Sequence, residues 1–80
     1  KSSATKIAYY LPASQHVALK IYNLLGKEIR SLVSEARNAG KSTAIWDGRD
    51  NAGQSVPPGI YLYKLTTNSQ TISRRLLYTR

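Results

Sequence analysis

The residues able to do chemistry in this chain of 80 residues are few: one histidine, four carboxylates and no cysteine. His16 has no cysteine to activate, and no serine at a recognisable nucleophile elbow. A glycosidase needs two carboxylates flanking the bond it cleaves, and two of the four here, Asp47 and Asp50, fall within one turn. We therefore predict that the chain is not an enzyme and that His16 lies exposed at the start of a strand.

The oxygen atoms of Asp47, Asp50 and Asn51 are candidate ligands for calcium. Their loop lacks the D-x-[DN]-x-[DN]-G order and the distal glutamate of the standard calcium-binding loop. Aspartate and asparagine also accept hydrogen bonds from backbone amides of their own turn. The sequence thus predicts a structural turn without a metal, and it indicates no cofactor.

Aromatic side chains offer a second kind of site, a platform on which sugars could stack. Trp46 is the single tryptophan and shares a predicted strand face with Ala44, which favours a place in the hydrophobic core. The strand patterns direct three tyrosines inward and leave three as candidates for exposure, namely Tyr9, Tyr61 and Tyr63 against Tyr10, Tyr22 and Tyr78. Nothing in the sequence aligns the outward three on one surface, so a carbohydrate platform is the weaker interpretation.

The chain carries a formal net charge of +8, from 12 Lys and Arg against 4 Asp and Glu. A nucleic-acid-binding protein would have this sign of charge, but with its cations clustered or within a recognisable motif. Here they come singly or in pairs, as on solvated strand faces and sheet edges, so we expect no nucleic-acid partner. No apolar run approaches the ~20 residues of a membrane span, and no amino-terminal signal pattern occurs.

Alternating apolar and polar residues indicate a series of short strands separated by turns, which is typical of an antiparallel sandwich. The predicted strands are residues 5–11, 16–22, 27–35, 42–47, 60–67 and 70–80. Over residues 27–35 the apolar spacing fits one helical turn or a strand with a bulge, and the flanking strands favour the strand. Gly26 is expected to take a positive φ in the turn before it. Pro57 and Pro58 place their segment at a sheet edge or outside the sheet.

Several motifs follow one another along the chain in an order that is specific when taken together. They are Ile7–Pro12, Val17–Asn23 with Gly26–Ile29, Trp46–Asp50 with Gly53, Gly59–Tyr61, and a basic and apolar tail from Ser73 to Tyr78. In this order they resemble the carboxy-terminal sorting domains of type IX secretion cargo and the related immunoglobulin-like domain of flagellar hook-capping proteins.

The resemblance implies an all-β fold, an antiparallel immunoglobulin-like β-sandwich of about seven short strands over residues 5–80, preceded by a linker remnant at residues 1–4. In such a domain the motif residues form a structural turn and part of the core. These residues are Trp46, Asp47, Gly48, Asp50, Gly53, Gly59 and Tyr61.

The sorting branch implies a non-catalytic carboxy-terminal domain that directs an exported bacterial protein through the type IX pathway. Its partners would be the outer-membrane secretion machinery and an upstream catalytic or adhesive domain in the same chain, with the protein secreted or on the cell surface via the periplasm. We expect a monomer. The residues expected to contact the machinery are Arg74, Arg75, Leu76, Leu77 and Tyr78. The alternative is a structural spacer or carbohydrate-binding accessory module of a secreted polysaccharide-degrading enzyme.

Overall fold

A computed structural model describes residues 5–79 and contains six strands, all paired antiparallel. They are β1 (Thr5–Leu11), β2 (Gln15–Tyr22), β3 (Glu28–Arg37), β4 (Gly40–Trp46), β5 (Gly59–Thr66) and β6 (Thr71–Tyr78). The predicted linker at residues 1–4, and Arg80 at the end of the last predicted strand, lie outside the described residues. Within those residues there is no helix long and apolar enough to cross a membrane. The all-β antiparallel prediction is confirmed, with six strands where about seven were expected.

The strands form two sheets that enclose one core. One sheet has two strands in the order β1-β4, and the other has four in the order β3-β2-β5-β6. Strict alternation puts Val17, Leu19 and Ile21 of β2 on the inner face, where none of them is exposed to solvent. Pro57 and Pro58 lie outside the strands, as their missing N–H groups predicted.

Strand β3 explains the ambiguous spacing seen in the sequence. Its pairing with β2 shifts register twice, and each shift leaves one residue of β3 without an opposite partner, first Leu32 and then Ile29. Each bulge resets the alternation, so that Ile29, Leu32 and Val33 all pack on the core side. A spacing that resembles a helical turn is therefore produced here by an extended strand with two bulges.

The turn between β2 and β3 is held by its first residue, Asn23. The Asn23 backbone N–H donates to the Lys27 carbonyl at 3.0 Å, and the Asn23 carbonyl accepts from the Gly26 N–H at 3.0 Å. The Asn23 side-chain Oδ1 accepts from the N–H groups of Leu25 and Lys27 at 2.9 and 3.0 Å. Gly26 has a φ of 89°, which confirms the predicted turn geometry. Four hydrogen bonds thus fix a hairpin tip whose Leu24 and Leu25 side chains are exposed.

Candidate functional site

Three aromatic rings occupy the space between the two sheets at one end of the sandwich. Trp46, from the two-stranded sheet, lies 5.2 Å from Tyr61 and 5.1 Å from Tyr78 between ring centroids. The Tyr61 and Tyr78 rings are 6.5 Å apart and meet edge to face. Such tilted and edge-to-face pairs add to the stabilisation that burial already provides. Trp46 is fully buried, in agreement with the core interpretation and not with a sugar-stacking platform.

The prediction for Tyr78 is wrong. The sequence placed it among the tyrosines expected to be exposed, whereas its side chain is buried. The β5–β6 register pairs Tyr78 with Gly59 and Leu76 with Tyr61, so the inner face of β6 carries Leu76 and Tyr78. Leu77, between them, faces outward. The two adjacent leucines gave no indication of which one faced the core, and the strand pairing decides it.

Tyr61 also anchors the chain that leads into β5. Its hydroxyl donates a hydrogen bond to the carbonyl of Pro57, four residues earlier. A tyrosine at the start of a strand that bonds back to the preceding backbone is a feature of immunoglobulin-like sandwiches. Sequence reasoning missed this bond; the signal that could have found it is the position of Tyr61 near the start of a predicted strand.

The carboxylates of Asp47 and Asp50 bind the backbone of their own loop. Asp47 Oδ1 accepts from the Arg49 N–H at 3.1 Å, while Asp50 Oδ1 accepts from the N–H groups of Ala52 and Gln54, both at 2.9 Å. The indole Nε1 of Trp46 donates to the Arg49 carbonyl at 2.9 Å, which ties the loop to the core. These bonds follow the predicted turn interpretation. Among residues 5–79 no group of His, Cys, Asp and Glu is arranged to hold a metal ion.

Asn51 attaches this loop to the open edge of β3. Its backbone N–H donates to the Ile29 carbonyl at 2.8 Å, and its side-chain Oδ1 accepts from the Ser31 N–H at 2.9 Å. Its Nδ2 donates to Glu28 at 3.1 Å. The loop thereby supplies hydrogen-bond partners to an edge strand at the point where a bulge interrupts it. In the sequence Asn51 was considered as a metal ligand or as part of its own turn, and nothing local in the sequence pointed to β3 as its partner.

A cleft of about 150 Å³ opens between β1 and the β5–β6 end of the larger sheet. The residues that line it include Tyr9, Tyr63 and Arg74 but neither a carboxylate nor a histidine. His16 lies exposed on β2, at the start of the strand as predicted.

The five residues predicted to contact a secretion machinery are divided between two faces of β6. Leu76 and Tyr78 belong to the core, and Arg74 lies on the same side of the strand but is exposed at the cleft. Arg75 and Leu77 are exposed on the outer face. The strand therefore cannot present all five to one partner while the sandwich is folded. A recognition role for its exposed members stays a prediction.

One surface combines two exposed residues of β6, Arg75 and Leu77, with residues of neighbouring strands. On the outer face of the larger sheet, Leu77 lies opposite Ile60, and Leu62 lies between Arg75 and Tyr22. The Lys64 Nζ atom sits 5.2 Å from the centroid of the Tyr22 ring, a cation–π contact, and Lys20 pairs with Glu28 at 3.4 Å. This face, with the neighbouring hairpin tip, is the candidate contact surface that the geometry indicates.

Comparisons with known proteins agree with this architecture. A family model of the FlgD Ig-like domain matches residues 1–71. The structure is similar to that of FlgD from P. aeruginosa, with a TM-score of 0.74 and 27% identity, covering 90% of this chain and 58% of that one. It is also similar to FlgD from Xanthomonas campestris, whose structure is described as giving insights into the hook capping essential for flagellar assembly; the TM-score is 0.73 at 22% identity, covering 95% and 56%. The chain thus spans somewhat more than half the length of each. No curated protein gives a match.

These matches correct the functional expectation taken from the sequence. The type IX sorting role, its secretion-machinery partner, the secreted or cell-surface location and the alternative of a module in a polysaccharide-degrading enzyme are all wrong, because the family model and both structures are of FlgD. The physical reason is that the motifs common to the two resembled families, such as Trp46–Asp50 and Gly59–Tyr61, build a turn and a core. These motifs therefore identify the sandwich fold, and they do not identify the protein that contains it. The match over residues 1–71 shows that this chain belongs to the family of FlgD Ig-like domains.

Proposed function

We propose that this chain acts as the Ig-like domain of a flagellar hook-capping protein, and that its role is to make protein contacts during hook assembly without catalysis. The observation that carries the proposal is the FlgD family match over residues 1–71. The likeness to FlgD from P. aeruginosa over 90% of this chain supports it. Hook capping is the context in which the related X. campestris structure is described.

The carboxylates of the chain take part in holding its own structure, which is compatible with a role in protein contacts. Each side-chain carboxylate accepts a hydrogen bond from the chain or forms an ion pair with it. These carboxylates belong to Glu28, Glu35, Asp47 and Asp50. The outer face of the larger sheet, where Ile60, Arg75 and Leu77 are exposed, offers a surface for such contacts.

A domain exchange tests the proposal. In a P. aeruginosa strain without FlgD, the gene is restored with this 80-residue chain in place of the segment of FlgD that it matches. We expect hooks on electron micrographs and swimming, both above the level given by FlgD that lacks the segment. A matched control carries Trp46→Ala, which empties the core position between the two sheets and is expected to abolish the gain. A chimera that is present and folded but builds no hooks would overturn the proposal.

A further inference from the structure

Six apolar side chains lie on the outer face of the larger sheet or at the hairpin tip that continues from β2. Ile60 and Leu77 are 42% and 62% exposed, and Leu24 and Leu25 at the tip are 64% and 94% exposed. The register places Tyr22 beside Leu62 at the end of β2, where the tip begins. We call this surface the docking face; its apolar members are Tyr22, Leu24, Leu25, Ile60, Leu62 and Leu77.

The docking face is cationic as well as apolar. Lys20, Lys64 and Arg75 share the outer side of the sheet with one carboxylate, Glu28, which pairs with Lys20 at 3.4 Å. Among residues 5–79, no carboxylate lies within ion-pair distance of Lys64 or Arg75. The surface therefore presents uncompensated positive charge beside exposed aliphatic groups, a combination suited to protein contact.

We infer that the docking face binds an acidic segment of a partner protein, one whose carboxylates alternate with apolar side chains. The inference rests on the proposed function, since it names the surface through which the assembly domain contacts its neighbour. Carboxylates would pair with Lys64 and Arg75, while apolar groups would cover Ile60, Leu62 and Leu77. A second copy of this chain is a poor occupant, because it brings the same cations to the same place and like charges repel.

The hairpin tip gives this surface a preformed edge. Asn23 holds the turn with hydrogen bonds from both its backbone and its side chain, at 2.9 to 3.0 Å. Leu24 and Leu25 are therefore presented by a fixed backbone, which lowers the conformational entropy lost on binding. An extended partner segment lying along β5 and β6 would meet this tip at one end.

A peptide titration tests the inference directly. The isotope-labelled 80-residue chain is titrated with a short synthetic peptide in which Glu and Leu alternate, and backbone amide shifts are followed by NMR. We expect saturable shifts that concentrate at Leu25, Ile60 and Leu77 and that weaken as salt is added, because exposed charges are screened. A peptide of alternating Glu and Ser has the same charge without the apolar groups, and is expected to bind at least about tenfold more weakly.

Two double variants separate the docking face from the rest of the surface. Ile60→Thr with Leu77→Ser is expected to weaken binding of the Glu–Leu peptide about tenfold. The matched control, Tyr10→Ser with Ile45→Thr, removes exposed apolar groups of β1 and β4 in the two-stranded sheet and should leave affinity unchanged. Thermal unfolding of each variant shows that the sandwich is intact. Phosphatidylglycerol vesicles are titrated in parallel as an anionic surface without a peptide. Equal loss in both variants, equal binding of the Glu–Ser peptide, or binding to the vesicles with none to the Glu–Leu peptide would overturn the inference.

The same variants in the FlgD chimera keep the two proposals apart. A chimera that builds hooks with either variant equally well leaves the proposed function standing and contradicts the docking face. A chimera that builds no hooks, while the Glu–Leu peptide still binds at Ile60 and Leu77, contradicts the proposed function and leaves the docking face standing. Hooks that are lost only with the Ile60→Thr and Leu77→Ser pair support both.

Discussion

At the scale of single residues, the packing of the Tyr78 ring in the aromatic cluster depends on one glycine, Gly48. Gly48 follows Trp46 in the turn and is buried, with a φ of 77°. A Cβ added at this position would overlap the Tyr78 ring. The motif Trp46-Asp47-Gly48 therefore needs glycine for two reasons, the backbone conformation and the close approach of a ring from β6.

Gly48→Ala is expected to lower the free energy of unfolding by about 3 kcal/mol, because strain at positive φ adds to displacement of Tyr78. Gly53→Ala is the matched control, since Gly53 has a φ of 84° but open space around it. It should cost only about 1 kcal/mol, the backbone term alone. Urea unfolding followed by Trp46 fluorescence measures both. Equal losses in the two variants would show that Tyr78 does not press on Gly48.

Tyr61→Phe tests the hydrogen bond that anchors the start of β5. The change keeps the ring beside Trp46 but removes the hydroxyl that donates to the Pro57 carbonyl. We expect a loss of about 1 kcal/mol in the free energy of unfolding. Tyr10→Phe removes a hydroxyl from an exposed ring and should be neutral within about 0.5 kcal/mol. An unchanged free energy of unfolding in Tyr61→Phe would mean that the hydrogen bond from Tyr61 to Pro57 contributes nothing to stability.

At the scale of elements, the sequence predicts what depends on local pattern. The alternation in β2 and the positive φ of Gly26 are both present as expected. The face of β6 could not be predicted, because Leu76 and Leu77 are adjacent and only pairing with Tyr61 and its neighbours selects one. The bonds of Asn51 to β3 were equally out of reach, since they join residues 20 or more positions apart. The docking face likewise emerges only when three strands lie side by side.

Asn51→Ala tests whether the loop protects the edge of β3. The change removes the bonds of the side chain to the Ser31 N–H and to Glu28, while the backbone bond to Ile29 can persist. We expect a loss of about 1–2 kcal/mol and hydrogen exchange at the Ser31 amide faster by about tenfold. Asn68→Ala, in the exposed turn between β5 and β6, is the control and should change neither quantity. Unchanged exchange at Ser31 would show that the loop does not cover this edge.

At the scale of the whole molecule, the two sheets depend on each other. The smaller sheet contains only β1 and β4, and a two-stranded sheet alone is at best marginally stable in water. Its inner residues Ile7, Ala44 and Trp46 are buried against the four-stranded sheet. There is no cysteine and therefore no disulfide to hold either sheet in the absence of the other. The fold should thus form and unfold as a single cooperative unit.

Coincidence of two optical probes checks this cooperativity. Trp46 is the single tryptophan and lies between the sheets, so its fluorescence reports their contact, whereas far-ultraviolet circular dichroism reports strands of both sheets. We expect both probes to give one urea midpoint.

Ile7→Ala, which leaves a cavity under β1, should lower the free energy of unfolding by about 3 kcal/mol and move both midpoints together. Ile45→Ala, on the exposed face of the same sheet, should move neither by more than about 0.5 kcal/mol. If Ile7→Ala instead shifted the fluorescence midpoint while the dichroism midpoint stayed in place, the smaller sheet would detach first, and the larger sheet with its docking face would be stable without it.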